Sequence, residues 1–191
     1  MRIVAGEFKG RTITAPQGEG TRPTIDRVRE ALFSSIFSLR EGFEGAVVLD
    51  AFAGSGALGL EALSRGANQA VFFERDSQAA KVCERNIKAF GLDSRIATCM
   101  KRDVMKNPPA DQRPPFDLVF LDPPYAFDAA DVVGMVNELK QAGAVALDAI
   151  VAYEHAHTTR KETVEAVESA GHELVATKKY GKTCVTLWRA K

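Results

Sequence analysis

A chain of 191 residues, 46% hydrophobic and 26% charged, suits one globular domain that buries roughly 70% of its unfolded surface. No apolar stretch reaches the ~20 residues of a membrane span, and the opening Met-Arg-Ile-Val-Ala-Gly-Glu holds no signal region, so a cytoplasmic protein is expected. The formal net charge is zero, and the three scattered cysteines argue against a disulfide framework or a zinc site.

In chain order, the β-prone runs Ile3-Val4-Ala5 and Arg11-Thr-Ile-Thr14 around Gly6 and Gly10 predict a hairpin. A Gly/Pro/Thr loop follows from Gln17 to Pro23. Ile25, Val28, Leu32, Ile36 and Leu39 then recur at helical spacing from Thr24, and Phe33, Ile36 and Phe37 read as core. From Gly45, strand-like runs (46–50, 69–74, 95–99, 116–121, 147–153) alternate with helical patterns (57–65, 77–90, 129–141, 160–170). Such alternation predicts an α/β fold with a mostly parallel sheet covered on both faces. The last two runs, 173–177 and 183–188, are joined by a short connection that only antiparallel pairing allows. Asn107 to Pro115 reads as a Pro-rich surface loop.

The zero net charge hides a pattern. Residues 1–40 hold seven Lys/Arg against four acids, residues 172–191 five against one, and the middle sums to −7. Two basic flanks suit an anion, although ordinary solvated charge gives the same pattern.

Residues 46–60 read AVVLDAFAGSGALGL. A strand ends at Asp50, and Gly54-x-Gly56-x-x-Gly59 opens a helix, so backbone N–H groups can approach a ligand closely. A nucleotide loop of the pyrophosphate type would not place a carboxylate at Asp50; an ammonium group would favour one there. Glu74 ends the next strand, placed for two ribose hydroxyls, and Asp103 follows the third, placed for an adenine amine. Ammonium, ribose and adenine without pyrophosphate describe S-adenosylmethionine. The absence of a second domain for substrate also disfavours a nicotinamide oxidoreductase.

Asp50-Ala-Phe-Ala-Gly-Ser-Gly56, Glu74, Asp103 and Asp122-Pro-Pro-Tyr125 resemble the motifs of class I S-adenosylmethionine-dependent methyltransferases. Thr21-Arg-Pro-Thr-Ile-Asp-Arg-Val-Arg-Glu-Ala-Leu-Phe33, with Arg2-Ile-Val-Ala-Gly6 and Gly10-Arg11, resembles the RsmD family, the bacterial 16S rRNA guanine-N2 methyltransferases. The likeness runs from residue 2 to about 188. It implies a Rossmann-like, seven-stranded, mostly parallel sheet with an antiparallel last strand, helices on both faces and a small N-terminal β-hairpin. Residues 1–40 would form an extension of hairpin and helix packed on a core of residues 41–191. The implied substrate is guanine (by resemblance guanine 966) of 16S rRNA within an assembled small subunit, with no membrane or obligate protein partner. The implied cofactor contacts are Asp50, Phe52, Gly54, Ser55, Gly56, Glu74, Arg75, Asp103 and Val104. RNA contacts are expected from Arg2, Lys9, Arg11, Arg22, Lys178 and Lys182.

The run Phe120-Leu-Asp-Pro-Pro-Tyr125 carries the chemistry. Pro123 and Pro124 lock the backbone and remove two N–H donors, leaving carbonyls and the Asp122 carboxylate as acceptors. An exocyclic amine brings two protons to such a site. Asp122 and the Pro123 carbonyl would hold them and localise the nitrogen lone pair, while Tyr125 stacks on a flipped base. The motif does not choose the amine, because adenine-N6 enzymes acting on DNA or RNA use it too. An RNA-binding assembly factor is a third reading, disfavoured by two intact motifs. Glu154-His-Ala-His157 reads as a strand end rather than a metal site, and no metal is expected.

Overall fold

The computed structural model describes residues 1–16 and 23–191, so the loop expected from Gln17 to Pro23 lies, as far as Arg22, outside the described residues. Two compact units divide the chain, Met1–Asp103 and Val104–Lys191.

The first unit opens with the N-terminal hairpin in minimal form. One antiparallel bridge pairs Arg2 with Thr12, flanked by Ile3 N–H to Arg11 O (3.0 Å) and Ile13 N–H to Met1 O (2.9 Å). The ladder stays short because the turn gives its N–H groups elsewhere. Val4 and Ala5 donate to the Glu61 carboxylate, Glu7 to the Ser64 carbonyl and Phe8 to the Ser64 hydroxyl. Helix α1 (Pro23–Arg40) begins one residue before the expected Thr24, at a proline whose missing N–H costs nothing in a first turn. Phe33 and Ile36 are fully buried, but Phe37 is 55% exposed, correcting its reading as core. It lies at the edge of the apolar stripe, its ring 6.5 Å from that of Phe43.

Strands β1 (Val47–Asp50), β2 (Gln69–Phe73) and β3 (Ala97–Met100) run parallel in the order β3-β2-β1, with helices α2 (Ala57–Ser64) and α3 (Ser77–Ala89) as crossovers. All four β1 residues are buried, as parallel strands require. Asp76 starts α3 by accepting the N–H groups of Gln78 (3.0 Å) and Ala79 (2.8 Å).

In the second unit, β4 (Phe116–Leu121) pairs parallel with β5 (Val145–Ala156), linked by α4 (Ala129–Gln141). Helix α5 (Arg160–Ser169) leads to β6 (Glu173–Tyr180), and β7 (Thr183–Arg189) inserts antiparallel between β5 and β6. This is the hairpin its short connection demanded, closed at Gly181 with φ 63°. β5 and β6 outrun their expected ends at 153 and 177, because β7 pairs with both up to Ala156 and Tyr180. Among the described residues there are seven strands of one mixed sheet and five α-helices, the expected α/β class.

Candidate active site

In the first unit, β1 delivers Asp50 to the base of the glycine turn. The carboxyl is 2% exposed and its Oδ2 accepts the Gly59 N–H at 3.0 Å. Burial pushes its pKa up to about 7, against the pull of the Gly59 N–H, with the Glu74 charge adding to the rise. Asp50 therefore supports the loop from within, tied to the first turn of α2. Gly56 adopts φ 80°, where a side chain would be strained and its Cβ would stand 2.8 Å from Cys83 Sγ. Gly59 is helical, yet a Cβ there would stand 2.3 Å from the Phe72 ring, so its missing side chain lets α2 lie on β2. Nothing stands within 4 Å of a Cβ built on Gly54, so the outer corner of the loop faces open space.

Glu74, just past β2, accepts the Gly54 N–H on Oε2 (2.9 Å) and the Asp76 N–H on Oε1 (2.7 Å). It is a brace across the cradle as well as an acceptor, since each carboxylate oxygen has a second lone pair for a ribose hydroxyl. Asp103 follows β3, and the Arg75 guanidinium lies 3.9 Å from its Oδ2. The register, Asp50 beside Phe72 and Phe73 beside Met100, places Asp50, Glu74 and Asp103 at the carboxyl ends of three adjacent parallel strands. Phe52 is half-buried and Ser55 buried. Ser55 turns its hydroxyl toward Met1 Sδ (3.9 Å), and its carbonyl accepts from Asn86 Nδ2 (2.8 Å).

Three residues that sequence reasoning missed hold this half together. Glu61, 0% exposed, takes the Val4 and Ala5 N–H groups, pairs with Arg65 (2.8 Å) and lies 3.8 Å from the buried Arg29. Ser64 holds the Ala5–Phe8 turn, and Asn86 holds Thr14. The available signal was polarity out of place: Glu61 is the one charged residue of α2, and Asn86 falls between the buried Cys83 and Ile87 of α3.

The basic candidates of this unit divide. Arg2 and Lys9 are exposed. Arg11 is exposed but engaged: its guanidinium lies over Phe90 (4.3 Å) and near Phe8 (5.2 Å), and it donates to the Ala89 carbonyl. Its placement is that of a strut between the hairpin and the end of α3.

In the second unit, β4 is buried up to Leu121 and the chain then surfaces. Asp122 is exposed, Pro123 buried, Pro124 exposed, and Tyr125 65% exposed. Pro123 anchors the corner while Asp122 and the Tyr125 ring stay exposed. The Pro124 carbonyl is taken by the Phe127 N–H at 3.1 Å. The Tyr125 hydroxyl lies 3.4 Å from Thr183 Oγ1, beside the β6–β7 turn that carries the exposed Lys182. Lys178, on β6, is also exposed, and Val104, which opens this unit, is buried. His155 is buried at the end of β5, with Nε2 against Thr186 Oγ1 (2.9 Å), and His157 Nδ1 lies 3.4 Å from Cys184 Sγ. Among the described residues no cluster of His, Cys, Asp and Glu could hold a metal ion, and no helix is long and apolar enough to cross a membrane.

A family model described as conserved hypothetical protein 95 matches residues 1–189. Ribosomal RNA small subunit methyltransferase D of Escherichia coli strain K12 is 35% identical over 177 residues, covering 92% of this chain and 85% of that protein. The solved structure of the Escherichia coli protein yhhF superposes with a TM-score of 0.80 at 32% identity, covering 100% of this chain and 98% of that one. Magnesium protoporphyrin IX methyltransferase of Synechocystis, solved with bound S-adenosylmethionine, shares the fold at 14% identity and a TM-score of 0.66, covering 91% of this chain and 87% of that one.

Proposed function

Because the chain belongs to the RsmD family of class I S-adenosylmethionine-dependent methyltransferases, we propose that it methylates the exocyclic N2 amine of a guanine in small-subunit rRNA. By resemblance that guanine is 966. The observation that carries the reading is the segment Asp122–Tyr125: an exposed aspartate, two prolines that offer no N–H, and an exposed ring, on a corner anchored by buried Pro123.

The residues of the first unit fit the cofactor. The open corner at Gly54 leaves room where a Cβ would stand, and Glu74 and Asp103 supply acceptors for hydroxyls and an amine. The bound cofactor supplies an electrophilic methyl group on a sulfonium that leaves as a neutral thioether. The chain is then required to hold, orient and polarise. Guanine N2 is a weak nucleophile because its lone pair is delocalised into the ring. Hydrogen bonds from its two protons to the Asp122 carboxylate and the Pro123 carbonyl favour a pyramidal nitrogen and stabilise the positive charge that develops there, and the surplus proton of the methylated nitrogen then leaves to water by way of the exposed Asp122 carboxylate. Tyr125 offers a flat surface to a base taken out of its stack. Residues 1–40 serve as an RNA-facing extension of the core 41–191, with Arg2, Lys9, Arg22 and the Lys178/Lys182 hairpin as phosphate contacts.

The deciding experiment incubates the protein with labelled S-adenosylmethionine and small subunits from cells lacking the gene, then maps the labelled nucleoside by mass spectrometry. The expected product is N2-methylguanosine at one position. N6-methyladenosine, or no label in rRNA, overturns the assignment.

A further inference from the structure

Asn86 lies on α3, 3% exposed, and spends its whole amide on two backbone segments. Its Oδ1 accepts the Thr14 N–H at 3.0 Å. Its Nδ2 donates one proton to the Thr14 carbonyl at 2.9 Å and the other to the Ser55 carbonyl at 2.8 Å. Thr14 ends the N-terminal hairpin; Ser55 lies between the two left-handed glycines of the cofactor loop. The Ser55 hydroxyl leads the same way, toward Met1 Sδ, which also receives Arg29 Nη1 at 3.4 Å.

Glycines at 54 and 56 let this loop adopt its shape but bring no side chains to hold it, so bonds from neighbouring segments, Glu74 to the Gly54 N–H and Asn86 to the Ser55 carbonyl, help fix its position. A buried amide that satisfies three backbone groups at once is a stiff link, since any shift of one segment leaves a buried polar group unpaired. We propose that Asn86 is a positioning residue that makes the geometry of the cofactor loop depend on the N-terminal hairpin. Displacement of residues 1–14 is then felt as a change in cofactor affinity. Under the assignment of that hairpin to RNA contact, occupancy by RNA and by cofactor are linked.

Two substitutions probe opposite ends of the link. Asn86→Asp keeps the acceptor for Thr14 N–H and removes both donations, including that to Ser55. Thr14→Pro deletes the N–H that Asn86 Oδ1 accepts and leaves the residues of the cofactor loop and Asn86 itself chemically unchanged. S-adenosylmethionine affinity is measured by calorimetry on wild type, each variant and the pair, with thermal unfolding in parallel. Asn86→Asp should weaken binding about tenfold, and Thr14→Pro about threefold in the same direction. The pair should lose less than the product of the two, because both cut one linkage. Wild-type affinity in a folded Thr14→Pro variant, or strict multiplication of the two losses, overturns the coupling. If Thr14→Pro does not fold, Asn86→Asp alone decides: unchanged affinity in that variant overturns the proposal. Failure of the wild type itself to bind would instead overturn the cofactor assignment on which the coupling rests.

Discussion

Asp122 and Glu74 are both carboxylates just past strand ends, yet their surroundings differ, and the proposed function gives them opposite tasks. Asp122 is exposed beside two donor-free prolines, so its expected role belongs to the transition state. Asp122→Ala should cost about 10²–10³ in single-turnover rate while calorimetry shows cofactor affinity nearly intact. A near-normal rate would remove Asp122 from the mechanism. Glu74 braces Gly54 and Asp76. Glu74→Ala should weaken S-adenosylmethionine binding by about 1.5–3 kcal/mol, since it loses ligand acceptors and frees the loop. At Tyr125 the hydroxyl's contact with Thr183 Oγ1 is long, at 3.4 Å, and solvent-exposed, so Tyr125→Phe should be mild and Tyr125→Ala severe. Equal damage in single-turnover assays would shift the role from the ring to the hydroxyl. Asp50 makes a prediction in pH. Its folded pKa of about 7 stands above the ordinary carboxylate value of 3.8. Between those values the folded state holds the proton more tightly, so this group's contribution to stability falls as pH rises from 4 through 7. The urea midpoint of Asp50→Asn, followed over that window, should lack this downward component. Parallel profiles for wild type and variant would show that Asp50 is not protonated in the fold.

At the scale of the element, the N-terminal hairpin belongs to the packing of the first unit. Deleting residues 1–15 would leave the buried Glu61 without two of its N–H donors and Asn86 without its Thr14 partners. Such a deletion should weaken cofactor binding and lower the unfolding temperature, so it cannot isolate an RNA contact. Single exposed charges can. Lys9→Ala should reduce the slope of log affinity for small-subunit RNA against log salt by close to one unit and leave cofactor affinity unchanged. An unaltered slope would take Lys9 out of the interface. Arg11→Ala should behave differently, costing stability on the order of 1 kcal/mol because the guanidinium packs on Phe90 and Phe8.

At the scale of the whole molecule, the two units differ in their work under the proposed function: the first would cradle the cofactor and the second would present the amine-accepting corner. Each also carries one of the basic chain ends, +3 over residues 1–40 and +4 over 172–191. The strand and helix order was legible because hydrophobic period and turn chemistry are local properties, and so was the Asp-Pro-Pro-Tyr corner, since proline acts on its own backbone and its neighbour's. The glycine loop was legible for the same reason. Tertiary structure decided what depends on distant partners. It turned Asp50 under the loop to meet Gly59 N–H, laid Arg11 across two rings, left Phe37 at the surface, and lengthened β5 and β6 to match β7. It also gave Glu61 and Asn86 their tasks, because a buried polar group is satisfied by whichever backbone the fold brings to it, and that backbone lies far away in the chain.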